Sequence, residues 1–376
     1  MPGRFAAMTA QRHLDRALAQ LRRMACMDAG GPQRIAPVLR ALHGLIGFDS
    51  GGYLYRRSDG ELDIHMENPA MRSVMPALFE PRVQHSERQV MRRSARLLDE
   101  ALRCERGVQM QHDLVKVPLA ELRRSDYYNA VLRPGEVEMA MKLPLRTADG
   151  QGIGILWLYR RDGERRFTGD EAAVLGRLAP GLARALQPGR LEGAEAHDAE
   201  VCGQGLLVVT AMGRPLWLAP GTEALLAQAF GWRWRGCGGA LPAALQVLVQ
   251  RLFLPNVRPG VPLPQMDFSN AHGVFSLRAT YLAGRAGEAD AAAIHITRRV
   301  PGGTRLLERL GALGLPRRQA ELACWLARGL SEAQSAERMG VSVNTVTYHR
   351  RHLYAALGVQ DRQGLLRCVH ETTPAG

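Results

Sequence analysis

Two breaks in composition limit how this chain can fold, because neither break supports a helix or a strand. The stretch QPGRLEGAEAHDAEVCGQG (residues 187–205) is rich in Gly, Ala and acids and lacks apolar periodicity. A second stretch, RRVPGG (residues 298–303), places Pro beside Gly. With 376 residues the chain is also longer than one ordinary hydrophobic core requires. We therefore expect separate domains joined by linkers at both breaks.

The overall composition is that of a soluble globular protein. Hydrophobic residues make up 46% and charged residues 23%, and no run approaches the ~18 uncharged apolar residues of a membrane-spanning helix. The first twenty residues contain no continuous apolar segment, so we predict no secretory signal. The six cysteines are scattered without C-x-x-C or zinc spacing, which favours reduced thiols in the cytoplasm and neither metal nor cofactor.

The charge balance points to a polyanionic partner. The formal net charge is +13 and the isoelectric point is near 10.1, which favours nucleic acid over a membrane surface. Only Lys116 and Lys142 are lysines, so nearly all of the 49 cations are arginine, and codon bias is an alternative explanation. The local arrangement of charge must therefore decide.

The first segment combines helices with antiparallel hairpins. Apolar residues in 32–46 follow a helical stripe, and Asp59-Gly60 and Asp149-Gly150 are hairpin turn signals between strand-like runs. A closing helix begins at Thr168, the predicted N-cap, with Glu171 in the reciprocal capping-box position. This order predicts an α+β sheet domain.

Residues 32–187 resemble a GAF-type sensory domain through SDYYNAVLRPGEVEMAMKLPLR and FTGDEAAVLGRLAPGLARAL. The stretch GFDSGGYLYR is also similar to acyl-homoserine-lactone-binding domains, but the Trp and Tyr pattern of that family is missing and we infer no lactone ligand. The ligand is unknown. Six residues are candidates for a pocket and equally for the core: Phe48, Tyr53, Tyr55, Met110, Trp157 and Tyr159.

The middle segment, residues 205–299, has β-rich runs at both ends and a helix from about Thr222. Its GLLVVTAMGRPLWLAPGTEALLA and GVFSLRATYLAG stretches resemble a PAS-like fold, which implies either a sensor or a spacer. Trp232 and Trp234 could stack on a base or on a ligand, although aromatic residues in a half-buried sheet or loop more commonly pack in the interior.

The last 66 residues carry helix start and stop signals that predict four short helices. Pro316 begins the first helix and Gly329 follows its end. Ser331, with Gln334 three residues later, caps the second helix, which Gly340 terminates. The two remaining helices are capped by Ser342 and Asp361, with Gly358 between them.

Helix, tight Gly turn and helix form a helix-turn-helix, in which the second helix of the pair enters the DNA major groove. On that helix, 3.6-residue periodicity places Val346, Leu353 and Leu357 inward, with Arg350 at the edge. The residues predicted to face outward are Asn344, Thr347, Tyr348 and Arg351. Between Gly340 and Gln360 the sequence has no Asp or Glu, which suits an approach to phosphates.

Residues 312–370 resemble the LuxR/FixJ-type DNA-binding domain. The residues that carry the resemblance are Leu315, Arg318, Glu321, Gly329, Leu330, Ser331, Ala336, Gly340, Ser342, Thr345, Val346, His349, Leu357, Gly358 and Val359. The resemblance implies that Thr345 and His349 lie near the phosphate backbone, while Asn344, Thr347, Tyr348 and Arg351 face the groove. With Ser331, Ser342 and Arg350 these complete the predicted DNA-binding set. Leu365, Leu366 and Val369 would serve dimerisation.

Two positions depart from that family. Thr347 stands where a Lys or Arg is common, so one cationic contact is absent. The slope of DNA affinity against salt concentration, both on logarithmic scales, should therefore be lower by about one unit. Ser335 stands where the family has a bulky aliphatic residue. The small core should therefore lack the burial of one large apolar side chain, which is worth about 1–3 kcal/mol of stability.

The sequence thus predicts a multidomain α+β protein: an N-terminal helix (1–31), a GAF-like α/β sensory domain (32–187), a linker (188–204), a PAS-like α+β domain (205–299), a linker helix (300–311) and an all-α four-helix helix-turn-helix domain (312–370). We interpret it as a one-component transcription regulator without enzymatic activity. Its expected partners are double-stranded DNA, a second copy of the chain on DNA, RNA polymerase and an unknown small molecule. The alternative is a metabolite-binding sensor or sigma-like factor whose tail docks a protein partner.

Overall fold

The computed structural model of the protein describes residues 31–371, apart from residues 95–97, 162, 188–198, 237, 254–262 and 286–288. The helix predicted over residues 1–31 lies outside the described residues except for Gly31. Two compact units form: Met1–Glu192 with Val201–Arg299, and Gly193–Glu200 with Val300–Gly376. The multidomain α+β prediction is confirmed. No helix among the described residues is long and apolar enough to cross a membrane.

The first domain (residues 32–187) is a five-stranded sheet between two layers of helix. Its strands are β1 (Ser50–Arg56), β2 (Leu62–Met66), β3 (Gln109–Met110), β4 (Met139–Arg146) and β5 (Gly152–Arg160). Its helices are α1 (Ile35–His43), α2 (Pro69–Ser73), α3 (Pro81–Val90), α4 (Leu98–Cys104), α5 (Gln111–Leu114), α6 (Leu119–Leu122) and α7 (Gly169–Leu186), with 3₁₀ turns at Pro32–Arg34 and Met75–Phe79 and a π turn at Tyr128–Leu132.

Local chemistry explains how this sheet folds. The antiparallel order is β2-β1-β5-β4-β3, and both predicted hairpins are confirmed. Gly60 and Gly150 take positive φ angles of 84° and 87° in the turns, where a side chain would be strained. The capping box at Thr168 and Glu171 is also confirmed at the start of α7. One face of the sheet packs on α1 and α7, and the other packs on the segments between β2 and β4.

The second domain has a sheet of the same order, β7-β6-β10-β9-β8, when the strands are counted from its own first strand. The elements are β6 (Ala199–Thr210), β7 (Pro215–Leu218), α8 (Thr222–Phe230), a 3₁₀ turn (Gly231–Arg233), α9 (Ala243–Leu252), β8 (Gln265–Asn270), β9 (Gly273–Leu282) and β10 (Ala291–Pro301). Helices α8 and α9 pack on one face of the sheet. The opposite face carries polar side chains such as Arg278 and His295, both exposed.

Strand β6 begins at Ala199, inside the stretch 188–204 that the sequence analysis takes as a linker. Its glycines have a packing reason. A Cβ on Gly205 would lie 2.6 Å from Thr222 Oγ1 and 3.0 Å from Ile296 Cγ2, so a side chain does not fit there. A Gly-rich strand and a linker therefore have the same composition, and only the packing distinguishes them.

The two sheet domains dock through the β1–β2 hairpin. The guanidinium of Arg57 is buried and lies 4.1 Å from the centroid of the Phe268 ring. The Ala271 amide donates to the Tyr55 hydroxyl at 2.9 Å, and the Ser269 amide donates to Ser58 Oγ at 3.2 Å. A cation–π contact and two hydrogen bonds from backbone amides thus join the two domains.

The C-terminal helical domain consists of α10 (Gly302–Ala312), α11 (Arg317–Ala327), α12 (Glu332–Met339), α13 (Val343–Leu357) and α14 (Arg362–Glu371). The four predicted helices correspond to α11–α14. Ser331 and Gln334 form the predicted capping box of α12, and Asp361 accepts the Gly364 amide at 2.7 Å. Ser335 is fully buried, and its hydroxyl has no hydrogen-bond partner among the described residues.

Candidate nucleic-acid interface

The turn between α12 and α13 is short and depends on one glycine. Helix α12 ends at Met339 and α13 begins at Val343, so three residues reverse the direction of the chain. Gly340 takes φ 63° and ψ 41°, the left-handed conformation that favours glycine. Ser342 then accepts the Thr345 amide at 3.2 Å. These contacts set α12 and α13 as a helix-turn-helix pair.

Helix α13 has one buried side and one exposed side. Val346 and Leu353 are fully buried, and Leu357 is half-buried. The structure places three of the four predicted outward residues, Asn344, Tyr348 and Arg351, on the exposed side. Tyr348 keeps 59% of its surface exposed, which is a large exposed area for an aromatic side chain.

The fourth predicted outward residue, Thr347, lies differently. It is half-buried, and its hydroxyl donates to Glu332 Oε2 at 2.8 Å. The other oxygen of the same carboxylate pairs with Arg350. Because Glu332 begins α12, it ties α13 to its neighbour and orients Thr347 and Arg350 at the boundary of the exposed face. This role of Glu332 is not evident from the sequence, since its partners lie 15 and 18 residues away along the chain.

A cluster of rings occupies the middle of the exposed face. The Tyr348 ring centroid lies 4.3 Å from that of His352 and 5.5 Å from that of His349. The sequence analysis did not include His352 in the DNA-binding set, although its spacing of four residues from Tyr348 could have indicated it. Among the described residues no group of three or more His, Cys, Asp or Glu could hold a metal ion.

The N-terminal turn of α13 places two hydroxyl groups beside each other at the start of the helix. The hydroxyls of Ser342 and Thr345 lie 2.9 Å apart, and the first turn contains no acidic residue. A helix N-terminus carries partial positive charge, so this end of α13 suits an anion such as a phosphate. Ser331 is engaged as the cap of α12, where it accepts the Gln334 amide at 3.2 Å.

The predicted dimerisation residues require a correction. Leu365 and Val369 are fully buried within the helical domain itself and have no surface left for a partner. Both face inward because α14 packs on its own domain, and a spacing of four residues places them on the same side of that helix. Leu366 is half-buried and is the one member of the predicted trio that keeps exposed surface.

The first domain contains an apolar cavity of about 70 Å³ between the sheet and the α2–α6 layer. Trp157 and Tyr159, two of the six pocket candidates, line this cavity. Phe48 and Tyr53 belong to the core on the opposite face of the sheet, and Met110 lines a separate, more open cavity. The Tyr55 hydroxyl donates to Asp63 at 3.0 Å within the first domain and also contacts Ala271 of the second domain.

Comparison with known proteins matches the helical domain to a family. Residues 314–369 match the family model described as "Bacterial regulatory proteins, luxR family". The probable transcriptional regulatory protein SgaR of Hyphomicrobium methylovorum is 48% identical over 48 residues, which cover 13% of this chain and 23% of SgaR. The chain thus spans about a quarter of the length of that curated relative.

Solved structures give weaker similarity. The similarity to the crystal structure of Escherichia coli SdiA extends over 95% of this chain and 97% of the SdiA chain, with 12% identity and a TM-score of 0.30. The phage VqmA–DPO complex covers 46% of this chain and 84% of its own, with 14% identity and a TM-score of 0.20.

Proposed function

We propose that this chain, whose residues 314–369 match the luxR family of bacterial regulatory proteins, is a one-component transcription regulator that acts in the cytoplasm. The observation that carries the proposal is the exposed, acid-free side of α13, which follows a tight left-handed turn inside the matched region. A helix presented in this way fits the DNA major groove, which is about 12 Å wide.

Each part of α13 has a role in the proposed complex. Asn344, Tyr348 and Arg351 reach base edges, because they are exposed on one side of the helix. Ser342, Thr345 and His349 lie toward the phosphates, where hydroxyl, imidazole and backbone N–H groups donate hydrogen bonds. The ion pair with Arg350 offsets the negative charge of Glu332 beside this proposed DNA-binding face, and Thr347 donates a hydrogen bond to the same carboxylate.

We propose that the regulator binds double-stranded DNA as a homodimer and contacts RNA polymerase. A helix-turn-helix dimer reads two half-sites about one helical turn apart. Leu366 on α14 is our candidate for a contact between the two copies, since it keeps exposed surface while Leu365 and Val369 are buried within their own domain. No step of this function calls for a catalytic residue.

We further propose that the first and second domains sense a small molecule and bias the helical domain. The apolar cavity of the first domain supports this, because ligand sites are concave, mostly apolar and furnished with a few polar groups. Binding a ligand better in one domain arrangement than in another would shift the population of DNA-binding conformations.

The test is a gel-shift series of the full chain against genomic fragments across salt concentrations. Arg351→Ala should weaken binding to the selected site by about tenfold or more, because a base-edge contact is worth about 1–3 kcal/mol. Arg367→Ala is the matched control, since Arg367 is an exposed arginine on α14. Equal retention of DNA by both variants would contradict the proposed reading of DNA by α13.

A further inference from the structure

We propose that Trp232 and Arg233 of the second domain close the cavity of the first domain, so that a small, mostly apolar molecule with one neutral carbonyl binds between the two domains and holds them together. This inference rests on the sensory part of the proposed function and names both the site and the class of ligand. It begins from one observation: the cavity lining is drawn from both domains.

The first domain supplies an apolar and adaptable wall. The side chains of Met66, Met71, Met75 and Met91 line the cavity together with the ring of Trp157. Methionine is unbranched and polarisable, so such a wall can repack around molecules of different shape. The volume of about 70 Å³ is less than half of the roughly 150 Å³ that accommodates benzene in an engineered protein cavity. A ligand of one six-membered ring therefore fits only when the methionines or the lid move to enlarge the cavity.

The second domain supplies the lid as a short turn directly after α8. The Trp232 ring stacks on Phe79 of the first domain, with centroids 4.5 Å apart and ring planes 18° apart. The Arg233 guanidinium lies 4.7 Å from the centroid of the Trp232 ring. Arg233 Nη2 also donates to the Leu62 carbonyl of β2. Stacking and hydrogen bonding thus hold this turn against the first domain.

Arg233 has a donor that nothing in the described residues uses. Its Nη1 is buried and has no hydrogen-bond partner among them. Buried donors are nearly always paired, because an unpaired one has lost its water without replacement. A ligand oxygen that reaches Nη1 would supply the missing acceptor. This is the second observation that points to a ligand, besides the cavity itself.

The charges around Arg233 select a neutral acceptor over an anionic one. Asp59, Glu61 and Asp63 are the acids that interact with Arg233, and Arg57 is the other cation. Three carboxylates against two guanidinium groups leave this corner with excess negative charge when all are ionised. A further carboxylate would be repelled there, whereas a ketone, ester or amide oxygen would accept from Nη1 without adding charge.

The same corner connects the cavity to the interface between the domains. Asp63 lines the cavity and accepts the Tyr55 hydroxyl at 3.0 Å. Tyr55 in turn accepts the Ala271 amide of the second domain at 2.9 Å. A molecule bound to Arg233 beside Asp63 would therefore stabilise two contacts between the domains: the lid on the first domain and the Tyr55–Ala271 hydrogen bond. The signal would continue along the chain through β10, which leads directly into α10.

The test compares two probes of nearly the same shape, cyclohexanone and methylenecyclohexane, in which a CH₂ group replaces the carbonyl oxygen. Binding to the full chain is measured by calorimetry for the wild type, Arg233→Met, Trp232→Ala and the control Arg235→Met. Arg235 is exposed two positions beyond Arg233. Arg233→Met should weaken cyclohexanone about tenfold more than it weakens methylenecyclohexane, because both probes need the lid but only the ketone accepts a hydrogen bond. Trp232→Ala should weaken both probes, and Arg235→Met should weaken neither.

Retained binding of methylenecyclohexane to Arg233→Met also shows that this variant keeps a folded cavity. Cyclohexanone should in addition slow hydrogen exchange of the Ala271 amide in the wild type, since that amide crosses the interface. The inference is wrong if neither probe binds the wild type, or if Arg233→Met and Arg235→Met have the same effect on cyclohexanone. A gel shift is independent of these results, so DNA binding without probe binding would overturn the lid and leave the regulator proposal standing.

Discussion

The two sheets of this protein share one strand order and differ in what covers their faces. In the first sheet, β1, β4 and β5 are buried almost along their whole length, because helices pack on both faces. In the second sheet, β9 alternates between buried and more exposed positions, because α8 and α9 pack on one face. Strand order alone therefore does not decide where a cavity forms: a second layer of helices is needed to enclose one.

The difference governs how each sheet can carry charge. Lys142 in the fourth strand of the first sheet is buried, pairs with the buried Glu105, and lies 5.3 Å from the Trp157 ring centroid. Burial lowers the pKa of Lys142, and the Glu105 carboxylate opposes that shift. Arg278 in the fourth strand of the second sheet is exposed to water. Charge in the doubly covered sheet must be paired, whereas charge in the singly covered sheet is solvated.

The largest expected effect comes from breaking that pair. Lys142→Met should destabilise the first domain by about 3–5 kcal/mol, because Glu105 is left buried without its closest cation. Arg278→Met is the matched control and should change stability by less than about 0.5 kcal/mol. Native-state amide exchange of β4 and β9 measures both sheets in the same chain. Equal losses in the two variants would mean that the second sheet is covered on both faces too.

Acid should loosen the contact between the sheets. His65 on β2 and the neighbouring His272 of the second domain have ring centroids 6.3 Å apart. Burial, followed by the charges of the other histidine and Arg72, lowers the pKa of His65 to about 4. Burial, followed by Arg298 and Arg72, lowers the pKa of His272 to about 4.

Because the folded pKa values lie below the unfolded value of 6.5, these histidines contribute full stability above pH 6.5 and lose it as the pH falls toward 4. Between pH 7 and pH 5 the protonation of the two histidines should lower the free energy of unfolding by about 3–4 kcal/mol. Burial raises the pKa of Asp63, which acts in the opposite direction, so the histidine part is isolated by comparison with the His65→Gln/His272→Gln double variant. Identical pH dependence of urea unfolding in the two proteins would refute this role for the histidines.

Much of this architecture was predictable from local sequence. The turns at Gly60 and Gly150 and the caps at Thr168, Ser331 and Ser342 each depend on residues within a few positions of one another. The contacts of Glu332 with Thr347, of Trp232 with Phe79 and of Lys142 with Glu105 join distant parts of the chain. No local pattern encodes them, because they depend on which elements pack together. Helix α13 and its caps were therefore predictable, while the Trp232–Phe79 contact and the two-sided burial of the first sheet were not.

A glycine substitution tests how tightly the first sheet is packed. A Cβ on Gly154 of β5 would lie 2.5 Å from the ring of Tyr53, which is buried and donates its hydroxyl to the Ile153 carbonyl at 3.1 Å. Gly154→Ala should therefore cost about 1–2 kcal/mol, because a rigid ring must move within a filled core. In the second sheet, a Cβ on Gly203 would lie 2.7 Å from Leu225 Cδ2, the free end of a flexible side chain. Gly203→Ala should cost less than half as much stability, as measured by thermal unfolding. A larger loss for Gly203→Ala than for Gly154→Ala would mean that the second sheet is packed more tightly than the first.

The smallest expected effect is at the exposed aromatic residue of the second sheet. Trp217 lies opposite Val208 in the β6–β7 pair and keeps 66% of its surface exposed, whereas Trp157 in the first sheet is 7% exposed. Trp217→Thr should change the free energy of unfolding by less than about 0.5 kcal/mol, because threonine suits a strand and little buried area is lost. Urea unfolding of dilute full-length protein measures this change. A loss above about 1 kcal/mol that grows with protein concentration would show that a second copy of the chain covers this face, and the contrast between the two sheets would then hold only for the monomer.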